Sequence, residues 1–123
     1  MSKPNREDYQ EVAQHAHEFN EISAMGRLDE LLKQERDHTY ACNIGIWYWN
    51  LGHKMLAAMA YQRSLEIQPE APTYFNLAVV QDDLGRTDEA KEAIRNFQLL
   101  VEDEEKQHVE AILIDKGKGH LLE

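Results

Sequence analysis

Apolar residues recur three and four positions apart along this chain, and strand-like alternation between turn signals is almost absent, so the pattern predicts helices throughout. Tyr9, Val12, Ala16 and Phe19 mark one stripe, which Ile22 and Met25 extend to Gly26. Leu28, Leu31 and Leu32 mark a short second stripe, which makes Gly26 the predicted hinge of a helical hairpin. A third helix is predicted from Thr39 to Leu51, stopping at Gly52, and a fourth from Lys54 to Ile67, after which Gln68-Pro69 and Pro72 break the chain. The fifth spans Thr73 to Leu84 and ends at Gly85. Thr87 is the predicted N-cap of the sixth, which reaches Val101, with Asp88 and Glu89 favoured in its first turn by the helix dipole. The acidic run Glu102 to Glu105 opens a seventh helix carrying Val109, Ile112 and Leu113. Gly117 and Gly119 end it, and the residues beyond are expected to fray.

The segment from Thr39 to Pro69 repeats itself. Gly85 lies 33 residues after Gly52, and at that offset Ile44-Gly45 meets Leu77-Ala78, Ala57 meets Ala90, Tyr61 meets Ile94 and Ser64 meets Phe97. Each pairing has a packing reason: small residues where two helices of a hairpin cross, glycines where the chain turns, alanines where the returning helix approaches. With Tyr48 and the closing Pro69 in the first copy and Tyr74 in the second, these positions resemble the tetratricopeptide repeat family over residues 38–103. The resemblance implies an all-α fold: a right-handed superhelical array of antiparallel helical hairpins forming a single domain. Residues 38–70 and 71–103 would be two regular repeats, 1–37 a degenerate N-terminal hairpin and 104–123 a capping helix with a frayed tail. The capping helix would turn Lys106, Gln107, Glu110 and Asp115 to solvent.

The resemblance also implies function, because such arrays hold an extended peptide or partner helix in a concave groove lined by the first helix of each hairpin. Asn43 and Asn76 precede Ile44-Gly45 and Leu77-Ala78, so one carboxamide stands at the same place in each first helix and can both donate to and accept from a ligand backbone. Thr39, Cys42, Ile46, Trp49 and Asn50 are expected beside Asn43, and Phe75, Val79, Asp82 and Asp83 beside Asn76. Trp49, Ile46, Phe75 and Val79 would bury ligand side chains. Asp82 and Asp83 would select a positive residue. Tyr48 is read as core, because its place in the repeat is normally buried. Cys42 and Phe75 stand where the family's clamp for acidic C-termini would place a cation, so the expected ligand is apolar with a basic residue.

Charge and candidate chemistry narrow this without changing it. Thirteen Lys and Arg against 23 Asp and Glu give a formal charge of −10, which argues against nucleic acid as a partner. The charges between residues 39 and 70 cancel, and five of the chain's ten aromatic residues fall within 40–61, so a neutral aromatic patch interrupts an acidic surface. The longest apolar run, Met55 to Tyr61, is far short of the roughly 20 residues that cross a bilayer. With one cysteine and no leader pattern, the expectation is a cytoplasmic protein complete as it stands. His15 and His17 point to different sides of a helix and cannot share a metal. No motif for nucleophilic, metal-assisted or phosphate chemistry is found, so no catalytic residue, metal or cofactor is expected. The function expected is that of a protein–protein adaptor or scaffold. Two alternatives are a dedicated chaperone for a secreted or assembling client and a self-assembling structural protein, a homo-oligomer.

Overall fold

The computed structural model describes residues 3–123 as seven α-helices and one 3₁₀ turn, with no strand among the described residues. The helices are α1 (Arg6–Glu18), α2 (Glu21–Gln34), α3 (His38–Asn50), α4 (Lys54–Ile67), α5 (Ala71–Asp83), α6 (Thr87–Leu99) and α7 (Asp103–Asp115); the 3₁₀ turn is Gly119–Leu122. Two compact units divide the chain, Met1–Pro69 and Glu70–Glu123.

In the first unit α1 pairs with α2 and α3 with α4, and α2 packs along α4. The hairpin turn between α1 and α2 is not at Gly26. Gly26 lies inside α2 with open space where a Cβ would be, and the chain turns at Phe19 and Asn20 instead. Asn20 caps α2 by accepting from the Ser23 amide, which starts a helix without a glycine. The first hairpin is therefore full length, and the 33-residue register runs through it: Ala24, Ala57 and Ala90 are all buried, as are Leu28, Tyr61 and Ile94. At Gly45 a Cβ would come within 2.6 Å of the Tyr61 ring, which accounts for the small residue there.

Glu35, fully buried at the end of α2, gathers the first unit around itself. It accepts from the Tyr9 hydroxyl at 2.8 Å and the Asp37 amide at 3.2 Å, while Arg63 of α4 donates to its carbonyl at 2.8 Å. Tyr48 donates to the Tyr9 carbonyl at 2.9 Å, and Ser64 to the His38 carbonyl at 2.7 Å. No side chain of its own N-cap serves α4; Glu21 of the preceding hairpin accepts from the Leu56 amide at 3.0 Å in its place.

In the second unit α5 pairs with α6. Pro72 does not precede α5 but sits in its first turn, where a missing amide costs no helical bond. Thr87 is the first residue of α6, not its side-chain cap. Gly52, Gly85 and Gly117 all have φ near +80° and close α3, α5 and α7 with the same pair of bonds, for example Gly85 to the Asp82 carbonyl and Arg86 to the Gln81 carbonyl. The residues after Gly117 do not fray. They form the 3₁₀ turn, which packs against both α6 and α7 and buries Leu121.

Candidate functional site

A cleft of about 140 Å³ opens between α1 and α3, lined by Arg6, Gln10, Tyr40, Asn43, Ile44 and Trp47. Helical spacing assembles it: Arg6 and Gln10 are four apart on α1, and Tyr40, Asn43, Ile44 and Trp47 occupy positions i, i+3, i+4 and i+7 on α3. The half-buried Tyr40 ring on its wall meets the buried Tyr9 ring edge to face at 5.8 Å. Burial, then the hydrogen bond to Glu35, push the Tyr9 phenol up, so it stays protonated and donating. Burial also raises Tyr40, with the positive Arg6 working against the rise. Among the described residues Arg6 has no carboxylate partner and is exposed at the rim. The volume is below the roughly 300–1,000 Å³ of small-molecule sites and takes about one side chain.

The expected residues are distributed as follows. Asn43 is exposed on the cleft rim. Trp47 lines the cleft, whereas Trp49 is half-buried with the Lys54 ammonium over its ring at 5.6 Å. Cys42 is half-buried beside Tyr61, whose phenol is raised by burial and then by that thiol. Ile46 and Asn50 are exposed. In the second unit Asn76 and Val79 are half-buried, and the Phe75 ring meets Phe97 of α6 at 6.3 Å, a contact inside the hairpin. Gln10, Tyr40 and Arg6 were not anticipated. The signal for Gln10 is present in the sequence, since it stands 33 residues before Asn43 as Asn43 stands before Asn76, but a hinge at Gly26 hides that register.

Asp82 and Asp83, expected to face a ligand, already hold cations of the chain itself, so a ligand cation would have to displace them. Lys118 Nζ lies 2.7 Å from Asp82 Oδ2 and 2.6 Å from Asp83 Oδ1, and His120 Nε2 lies 2.8 Å from Asp82 Oδ1. Burial works against the Asp82 carboxylate, but the bonds and charges of Lys118 and His120 outweigh it and hold Asp82 below the usual aspartate range. Burial likewise opposes the Lys118 ammonium, and the two carboxylates hold it above the ordinary lysine value.

His15 stacks on Phe19 at 4.8 Å, and no group of three or more His, Cys, Asp or Glu among the described residues could hold a metal ion. None of the described helices is long and apolar enough to cross a membrane. A family model of the tetratricopeptide repeat matches residues 71–97, which takes in all but the end of the hairpin α5–α6. No curated protein matches the chain.

Proposed function

We propose, from the premise that residues 71–97 form a tetratricopeptide repeat, that this chain is a protein-interaction module whose first unit binds a peptide segment in the α1–α3 cleft. The observation that carries the reading is the pairing of two carboxamides, Gln10 and Asn43, on the rim of a cleft sized for one side chain. Each carboxamide donates and accepts, so the pair suits a backbone whatever its sequence. Tyr40, Ile44 and Trp47 supply the apolar wall for one anchoring side chain. Arg6 supplies a fixed positive charge beside it, and a guanidinium with no carboxylate partner among the described residues is matched by an acidic group on the ligand. For this cleft the sign of the ligand preference is thus opposite to that expected from Asp82 and Asp83, which belong to the second unit and hold Lys118.

Selection of a random peptide display library on the intact protein tests this. Recovered peptides are expected to carry an aromatic or large aliphatic residue next to Asp or Glu. The Gln10→Ala/Asn43→Ala variant, shown by circular dichroism to be as helical as wild type, should bind them about tenfold more weakly. Peptides that bind the variant as tightly as wild type would place recognition elsewhere on the molecule.

A further inference from the structure

The strap after α7 is held in a way that packing alone does not require. Lys118 and His120 reach across to the two carboxylates at the end of α5, and Leu121, 2% exposed, is its one buried side chain. The 3₁₀ turn packs on α6 and on α7, and α7 meets the hairpin α5–α6 chiefly through it. The strap therefore closes the second unit, fastening α5, α6 and α7 at one place.

Its fastening is short and replaceable. Gly117 adopts a left-handed φ of +75°, and Gly119 follows two residues later, so the backbone on either side of Lys118 gives up much conformational freedom when the strap docks. The site it fills is less tolerant. The Asp82 side chain is 10% exposed and the Lys118 side chain 13%, so water screens their contact poorly. Withdrawing Lys118 would remove the cation that two neighbouring carboxylates share, one of them largely out of water. Emptying the site is unfavourable, whereas exchanging one cation for another is not.

We infer that residues 116–123 act as an internal occupant of a docking site for a basic–apolar segment, one with a lysine or arginine followed three residues later by leucine. Such a segment from a partner competes with Lys118 for Asp82 and Asp83 and with Leu121 for its pocket. Winning that competition releases the strap and loosens α7 from α5–α6. The second unit is then autoinhibited, and binding in trans is coupled to opening. This site lies wholly in the second unit and does not rest on the α1–α3 cleft.

A fluorescein-labelled synthetic peptide of residues 116–123 is the probe, titrated by anisotropy into the full chain. Weakening the internal strap with Lys118→Ala/His120→Ala raises the open fraction, and the peptide should bind this variant about tenfold more tightly than wild type. Adding Asp82→Asn/Asp83→Asn to that variant should abolish binding, as should Lys→Ala at the peptide's third position. Should the strap variant lose helicity, an isotope-labelled wild-type chain offers the same test. Excess peptide should move the Gly117 and Gly119 amide resonances towards those of the free peptide. Equal affinity for wild type and the folded strap variant, binding that survives loss of both carboxylates, or unmoved glycine resonances in excess peptide would each overturn the inference.

Discussion

Glycines that look alike in the sequence do different work, and their environments separate them. At Gly45 the space for a Cβ is taken by the Tyr61 ring, itself buried against the helix and unable to swing aside. Gly45→Ala is expected to destabilise the protein by about 1–3 kcal/mol, the usual result of overpacking a fitted contact. Urea denaturation followed by circular dichroism would measure it, and a neutral result would mean that the α3–α4 crossing is looser than the structure shows. Glu35 makes the complementary point for charge. Nothing in its local sequence marks it as different from the other glutamates, yet it is buried and accepts hydrogen bonds from Tyr9, 26 residues away, and from Asp37. Only the fold brings its partners to it.

Among the helices the main lesson concerns how ends are made. Where a glycine with left-handed φ closes the helix, as at Gly52 and Gly85, the boundary is legible because no other residue adopts that conformation so cheaply. Where a side chain begins the helix instead, as Asn20 does for α2, the boundary is hidden and a nearby glycine attracts the assignment. The two cases respond oppositely to one substitution. Gly26→Ala should stabilise by about 0.5–1 kcal/mol, since it lies inside α2 with open space around it. Gly52→Ala should destabilise by about 1–2 kcal/mol, because φ there is +84°. Thermal melts of the two variants decide between a hinge and a helix interior: a destabilised Gly26→Ala would restore the hinge. The cap on α4 is harder still to foresee, since Glu21 reaches the Leu56 amide from the preceding hairpin.

For the molecule as a whole, charge pairing within the chain decides how the second unit behaves with pH. Asp82 is held below its ordinary value, so its contribution to closing the strap is complete above the usual aspartate range and is lost as pH falls through its lowered pKa. Lys118 is held above its ordinary value, so its contribution is complete below the lysine range and is lost as pH rises through its raised pKa. Nuclear Overhauser contacts between Leu121 and α6 should therefore persist across the neutral range and weaken only as pH falls below the ordinary aspartate range or rises above the ordinary lysine range. Their loss at neutral pH would show that Lys118 does not hold the strap. The helical class and the 33-residue register of the last two hairpins were readable from spacing, because helix periodicity and turn glycines are local properties of the chain. The cleft needed α1 brought beside α3, Glu35 needed Tyr9 and Arg63, and the fate of Asp82 and Asp83 turned on a lysine 35 residues beyond the nearer of them. Those contacts join positions that no local pattern links, so only the folded chain could decide which charges are spent internally and which remain for a partner.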